Sequence, residues 1–207
     1  MIRLLEQVLE HPTIYSHWQA PFVAQKFAPA ERHMRQGTVR RVLDVGCGPG
    51  TNAARFGAAS YVGVDINEQY LAVARSKYSG QFIQADLATA DLSQLGQFDT
   101  ILVNSFLHHL PDPSVERLLE QLATLLEPRG KVHILELVRP DRPSVPSIMA
   151  SLDRGRYARS VQAWTKHFER HFHPVVVEPY TFGAGLWAMV YFQGMRSDAS
   201  LNRHSCL

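Results

Sequence analysis

Val42-Leu-Asp-Val-Gly-Cys-Gly-Pro-Gly50 decides how this 207-residue chain is read. Val42 to Val45 read as a buried strand, and Gly46, Gly48 and Gly50 follow at alternate positions. Glycine lacks a Cβ and accepts positive φ, so the chain turns sharply there and its backbone can approach a ligand closely. Such a turn after a strand points to an adenine-containing cofactor at the carboxyl edge of a parallel sheet.

Working outward, strand-like runs alternate with helical patterns. Arg41 to Val45, Tyr61 to Asp65, Phe82 to Asp86, Phe98 to Asn104 and Lys131 to Val138 read as five strands. Between them, helical patterns start at Thr51, run from Glu68 to Lys77, and run from Val115 to Leu126. The last is amphipathic, with Val115, Leu118, Leu119, Leu122, Leu125 and Leu126 on one side, and Pro128-Arg-Gly130 is expected to stop it. Residues 1 to about 36 read as helical with breaks at Pro12, Pro21 and Pro29. Beyond Val138, the prolines in Arg139 to Pro146 suggest a loop or crossing segment, followed by a helix from Ser160 to about His171. Pro174 to Tyr180 and Leu186 to Phe192 then read as an antiparallel hairpin at the sheet edge, joined through Gly183-Ala-Gly185. The pattern predicts an α/β fold: a Rossmann-like, doubly wound, mostly parallel seven-stranded sheet with an antiparallel last strand and helices on both faces.

Composition sets outer bounds. Apolar residues make up 45% and charged residues 19%, enough apolar content for a substantial core. The net charge is +2, with no basic block interleaved with aromatics, so no nucleic-acid partner is expected. Two cysteines, Cys47 and Cys206, cannot make a disulfide framework, which suits a reducing, cytoplasmic setting. Met1 to Glu10 looks amphipathic rather than like a signal peptide, and no apolar run is long enough to span a bilayer, so no membrane partner is expected. Ser205-Cys-Leu207 lacks the basic residue of a peroxisomal address, and Tyr191-Phe-Gln-Gly194 continues a strand-like apolar run rather than marking a cleavage tag.

The turn discriminates among cofactors. A dinucleotide site needs Gly-x-Gly-x-x-Gly, but Thr51 stands at the third glycine position, and no Gly-Lys-Ser/Thr follows to make a phosphate loop. Asp44, two residues before Gly46, would repel a pyrophosphate and attract an ammonium or sulfonium cation. Asp65 ends the second strand, where a carboxylate can accept hydrogen bonds from ribose hydroxyls. Asp86, with Leu87 after it, is placed to accept from an adenine amino group, and the fourth strand delivers Asn104 and Ser105 to the same edge.

Asp44-Val-Gly-Cys-Gly-Pro-Gly50, Asp65, Ala85-Asp86, Phe98 to Pro111 and Leu126-Glu-Pro-Arg-Gly-Lys131 together resemble the ordered motifs of class I S-adenosylmethionine-dependent methyltransferases. The resemblance runs from about Arg41 to Val138, with the final two strands similar to that family's antiparallel end. It implies S-adenosyl-L-methionine as cofactor and S-adenosyl-L-homocysteine as product. It implies that the turn Gly46, Cys47, Gly48 and Gly50 lies at the methionine portion; Asp44 either contacts the cofactor or braces the turn through backbone N–H groups. Asp65 is implied at the ribose, Asp86 and Leu87 near adenine, and Asn104 and Ser105 on the sulfonium side, with Ile66 also expected to bind the cofactor. Residues 1–207 are then expected to be one methyltransferase domain, with a helical cap over 1–38 and an insertion over 139–160 that shapes the acceptor pocket. Tyr15, His17, Trp18 and Phe22 are candidates for the cap's lid or for core.

The expected acceptor is a small molecule methylated at O, N or C, by a monomer or homodimer. Asn104-Ser-Phe-Leu107 differs from the Asn/Asp-Pro-Pro-Tyr/Phe of enzymes that methylate amino groups of nucleic-acid bases. Macromolecular methylation, of tRNA or protein, and a non-methylating member of the fold stay open as alternatives. Methyl transfer needs positioning more than a catalytic triad, and no catalytic residue is assigned. His108 and His109 read as packing residues, and His167 and His171 as a solvated helix end, so no metal site is expected. Arg139, Arg142, Arg154, Arg156 and Arg159 cluster where they could meet an anionic acceptor or merely coat a polar surface.

Overall fold

Strand residues of alternating orientation send one apolar set to each face of a single sheet, and helices cover both faces. The computed structural model describes residues 12–34, 39–57, 59–153 and 155–197, with side chains from residue 22 onward. The strands are β1 (Arg41–Val45), β2 (Ser60–Asp65), β3 (Gln81–Gln84), β4 (Phe98–Asn104), β5 (Leu126–Leu137), β6 (Phe172–Phe182) and β7 (Trp187–Arg196). Their order in the sheet is β3-β2-β1-β4-β5-β7-β6. Pairings from β3 through β5 are parallel, while β7 runs antiparallel to both β5 and β6, as the sequence predicts.

The helices are α1 (Pro12–Met34), α2 (Glu68–Lys77), α3 (Asp112–Leu125), α4 (Val145–Leu152) and α5 (Val161–Glu169). Leu43 and Val45 join the core built with α3 and α5, through Leu118, Leu122, Trp164 and Phe168. On the opposite face, Phe27 and Ala30 of α1 and Ala150 of α4 pack on Leu102, Leu135, Met189 and Tyr191. Next to them, Val42, Tyr61 and Phe82 pack against Leu71 and Ala74 of α2. Local chemistry starts the helices: the Asn67 side chain accepts from the N–H groups of Gln69 and Tyr70, and Ser144 and Ser147 form a reciprocal cap at α4.

Four expectations need correction. The helix α1 is continuous through Pro21 and Pro29, because burial of Phe27, Pro29 and Ala30 against the sheet compensates for the hydrogen bonds that proline removes. The helix expected from Thr51 is only a 3₁₀ turn, Ala53–Arg55, which ends before Gly57 at φ +51°. Pro128-Arg-Gly130 does not separate helix from strand; α3 ends at Leu125 and β5 begins at Leu126 and passes through it. The crossing segment after Val138 contains α4, since Pro146 stands in the first helical turn, where no N–H is needed. Met1 to Glu10, the side chains of Tyr15, His17 and Trp18, Arg154, and Ser205 to Leu207 lie outside the described residues. Among the described residues no helix is long and apolar enough to cross a membrane.

Candidate active site

The parallel strands end at one edge, and the glycine turn folds back over it. The N–H groups of Gly46 and Cys47 donate to the Val64 carbonyl at 2.8 and 3.1 Å, which ties the turn to the end of β2. All three glycines have positive φ, but for different reasons. A Cβ on Gly46 would lie 2.5 Å from the Phe106 ring, and one on Gly50 would lie 2.8 Å from the Ala74 methyl. A Cβ on Gly48 would meet nothing within 4 Å. Packing therefore fills the ends of the turn, and its centre is open toward the edge.

Two carboxylates set the polarity of this opening. Asp65 Oδ2 accepts from the Gly48 N–H at 2.8 Å, and Oδ1 accepts from the Asn67 N–H at 2.8 Å. One aspartate thus fixes both the turn and the start of α2. Asp44 is fully buried; its Oδ2 accepts from the Tyr61 hydroxyl and, at 3.0 Å, from Asn52 Nδ2. Its Oδ1 has no hydrogen-bond partner among the described residues. Burial pushes the Asp44 carboxyl up to about 6, against the two hydrogen bonds that favour its charge. Asn104 Nδ2 reaches Asn52 Oδ1 at 3.4 Å, and its own Oδ1 also lacks a partner. Asn52 thereby bridges Asp44 and Asn104, a role with no mark in the sequence beyond its place after the turn.

The remaining predicted residues take distinct places. Cys47 is buried, its sulfur against Gly63 of β2, and burial pushes its thiol well above the ordinary range. Ser105 sits at φ +54° and donates its N–H to the Leu135 carbonyl at 2.7 Å. Ile66 is 59% exposed beside Asp65, an unusual setting for a large apolar side chain. Asp86 is exposed, its Oδ1 accepting from the Ala88 N–H, while Leu87 is buried. A cofactor with a cationic amino-acid end, two ribose hydroxyls and an adenine ring fits this set. The orphaned oxygens of Asp44 and Asn104 are free to accept from an ammonium, Gly48 leaves space for it, and Asp65 and Ile66 offer a carboxylate and an exposed apolar side chain beside the turn.

Across the edge lies a second polar knot that the sequence reading missed. Glu136 is fully buried on β5, where Oε1 accepts from the N–H groups of Phe106 and Leu107 at 2.8 and 2.6 Å. Its Oε2 lies 2.8 Å from His108 Nδ1, and His108 Nε2 lies 3.3 Å from Asp153 Oδ1. Burial disfavours a charged imidazole, but the two carboxylates outweigh it and push His108 up to about 9. Burial likewise opposes the charge on Glu136, yet His108 and the N–H donors hold it below the ordinary carboxylate range. A glutamate inside the apolar run Ile134-Leu-Glu-Leu137 was the available signal.

His108 is buried, but as the ion-paired partner of Glu136 and Asp153 rather than as a packing residue, and His109 is exposed. His167 and His171 are not a free helix end: Glu116 accepts from both, His171 at 2.8 Å, and from Arg170 at 2.7 Å. The arginine cluster also divides. Arg159 is taken up by Asp112, the Leu110 carbonyl and the Trp164 ring, while Arg139, Arg142 and Arg156 are exposed.

With this geometry in hand, the similarities to known proteins are informative. Residues 42–130 match the family model described as a methyltransferase domain. The chain is 30% identical over 154 residues to a ubiquinone biosynthesis O-methyltransferase of Xanthomonas euvesicatoria, covering 70% of this chain and 62% of the relative. It is 33% identical over 139 residues to a trans-aconitate 2-methyltransferase of Shigella dysenteriae, covering 63% of this chain and 51% of the relative. The chain thus spans between half and two thirds of the length of these curated relatives. A TehB-like S-adenosylmethionine-dependent methyltransferase from Corynebacterium glutamicum superposes with a TM-score of 0.67 at 16% identity, covering 90% of this chain and 98% of that one. The plantazolicin methyltransferase BpumL, solved with a desmethyl analogue and S-adenosylhomocysteine, gives 0.66 at 16% identity, over 89% of each chain. The matched family model makes residues 42–130 a methyltransferase domain, and the chain as a whole has the fold of the solved S-adenosylmethionine-dependent methyltransferases it superposes on.

Proposed function

We propose that the chain transfers a methyl group from S-adenosylmethionine to an oxygen, nitrogen or carbon atom of a small-molecule acceptor. The observation that carries the reading is the pair of buried, orphaned acceptors at the ends of β1 and β4, Asp44 Oδ1 and Asn104 Oδ1, together with the open centre of the turn at Gly48. Unpaired buried oxygens are costly unless a ligand's donors complete them. When bound, the cofactor supplies an activated methyl on a sulfonium, so the protein's work is to bind, orient and exclude water. Asp44 and Asn104 would hold the ammonium and carry the compensating negative charge, and Asp65 would accept from the ribose hydroxyls. Ile66 and Leu87 would flank the adenine, with Asp86 at its amino group. The helix α1 and the 139–160 segment border the acceptor side, and the relatives named for ubiquinone biosynthesis and trans-aconitate support a small acceptor.

Calorimetric titration with S-adenosylmethionine tests the cofactor half: saturable heat at micromolar to millimolar ligand is expected, and its absence at millimolar ligand overturns the reading. Release of S-adenosylhomocysteine in the presence of small oxygen, nitrogen or carbon acceptors tests the transfer itself.

A further inference from the structure

Four chain segments bring charge to the acceptor side of the edge. The turn after β4 contributes His108, β5 contributes Glu136, the segment after α4 contributes Asp153, and α1 contributes Lys26. The first three are mutually satisfied. Glu136 collects the N–H groups of Phe106 and Leu107 and the His108 ring, and Asp153 Oδ1 collects the Gly155 N–H at 2.8 Å and faces His108 Nε2. The Tyr157 N–H donates to the His108 carbonyl at 3.0 Å, and a Cβ on Gly155 would lie 1.9 Å from the imidazole, so the 139–160 segment is clamped against this ring.

Lys26 differs from the other three. Its backbone is fixed, because the Tyr180 hydroxyl donates to its carbonyl at 2.6 Å and the neighbouring Phe27 is buried among Leu102, Leu135 and Leu137. Its side chain is partly buried and feels the charges of Glu136 and Asp153, yet no hydrogen bond or ion pair holds its ammonium among the described residues. Burial lowers the amine to about 8, with the two carboxylates opposing the shift. With Lys26 and His108 protonated, the charges of the cluster balance; what is left over is hydrogen-bonding capacity, three N–H donors in a desolvated position. The Tyr180 that holds the Lys26 carbonyl pairs with Met189, and Met189 pairs with Leu137, so this turn of α1 stands over the carboxyl end of β5 next to Glu136.

We propose that Lys26 is an acceptor-binding residue whose ammonium takes an oxygen of an oxygen acid, a carboxylate or a phenol, carried by the acceptor. The assignment rests on the methyltransferase reading and narrows its acceptor class. A charge-assisted N–H···O bond in a partly desolvated site is stronger than the same bond in water, and it selects oxygen acids over amines, which would place cation against cation. The clamped Asp153 segment and α1 then close on the acceptor from opposite sides, with Lys26 as the polar contact between them.

The test uses the whole protein saturated with S-adenosylhomocysteine. Benzoate, phenol and trans-aconitate are titrated calorimetrically, with benzamide and benzylamine as uncharged and cationic controls, against wild type, Lys26→Met and Lys26→Arg. At least one oxygen acid should bind wild type at millimolar concentration, roughly tenfold more weakly to Lys26→Met, and close to normally to Lys26→Arg. Binding that is equal in Lys26→Met, or stronger for benzylamine, or absent for all three oxygen acids overturns the assignment. Should Lys26→Met not fold, acetylation of wild-type Lys26 followed by mass spectrometry decides: slowing by the oxygen acids supports the role, and an unchanged rate overturns it. Normal S-adenosylhomocysteine binding alongside any negative outcome leaves the methyltransferase reading intact, so the two failures are distinguishable.

Discussion

Glu136 and His108 form a buried ion pair, 2.8 Å between Oε2 and Nδ1, that ties β5 to the turn after β4. Its pH dependence follows from sign. The His108 imidazole rises on folding from an ordinary 6.5 to about 9, so its stabilising contribution is complete below pH 6.5 and is lost as pH rises through 9. Thermal unfolding should therefore show a falling melting temperature between pH 6.5 and 9. Glu136→Gln should remove most of that slope and, by leaving an imidazolium without its main partner, destabilise the chain by ~3–5 kcal/mol near neutral pH. A slope identical in the variant would show that some other group titrates.

Asp44 has the opposite linkage. Its carboxyl rises from 3.8 to about 6 on folding, so the folded chain holds the proton more tightly than the unfolded chain does. The burden on stability is absent below 3.8, grows between 3.8 and 6, and is full above 6. Asp44→Asn keeps an oxygen for the Tyr61 hydroxyl and removes the buried charge. It should be at least as stable as wild type at neutral pH in urea titration, yet bind S-adenosylmethionine more than roughly tenfold more weakly. In wild type the affinity should fall as pH drops below 6, and the variant should lack that dependence.

The glycines of the turn predict a graded series. Gly48→Ala adds a methyl in open space, so its folding cost should be limited to the left-handed backbone, ~1–2 kcal/mol, while the methyl would enter the space proposed for the cofactor. Gly46→Ala drives a methyl to 2.5 Å from the Phe106 ring and should cost more, ~3 kcal/mol, through strain in the core. Paired unfolding and cofactor titrations should therefore show Gly48→Ala losing binding more than stability, and Gly46→Ala losing both. Equal behaviour of the two would place the ligand away from Gly48.

These contrasts explain what the sequence made legible. The turn, Asp65 and the strand ends were readable because consecutive residues define them: a strand's last residue reaches the sheet edge whatever packs around it. Glu136, His108 and Asp153 were not, because their meaning is a contact between residues far apart in sequence; only the charge inside Ile134-Leu-Glu-Leu137 hinted at it. The breaks expected in α1 are absent for a related reason, since tertiary burial of Phe27 and Ala30 prevails over the local penalty at Pro21 and Pro29. Thr51 to Phe56 erred the other way: helical propensity there yields to Gly57 and to the turn's own geometry.

Asp65 should be separable into two roles. Asp65→Ala removes the acceptor for the Gly48 N–H and the one proposed for the ribose hydroxyls, and cofactor affinity should fall well over tenfold. Asp65→Asn retains one oxygen, so it should hold the turn better while still losing the charge-assisted bonds. If the aspartate mattered only for the turn, Asp65→Asn would bind S-adenosylhomocysteine nearly as well as wild type.

The arginines after β5 divide by what they touch, and mutation should read the division directly. Arg159 donates to Asp112 at 2.8 Å and to the Leu110 carbonyl at 3.0 Å, and its guanidinium lies 4.4 Å from the centre of the Trp164 ring. Its side chain is 9% exposed, so the contacts with the Leu110 carbonyl and Trp164 are little screened, whereas Asp112 is 66% exposed and that ion pair is weakened by solvent. Arg159→Ala should destabilise the chain by ~2 kcal/mol or more, because it opens the packing of α3 against α5 as well as removing charge. Arg142 is exposed on the 139–160 segment, and Arg142→Ala should stay within ~0.5 kcal/mol of wild type. Urea unfolding of both variants measures the difference; if Arg159→Ala were as stable as Arg142→Ala, the contacts with Asp112 and Trp164 would be incidental and Arg159 would be free to serve an acceptor.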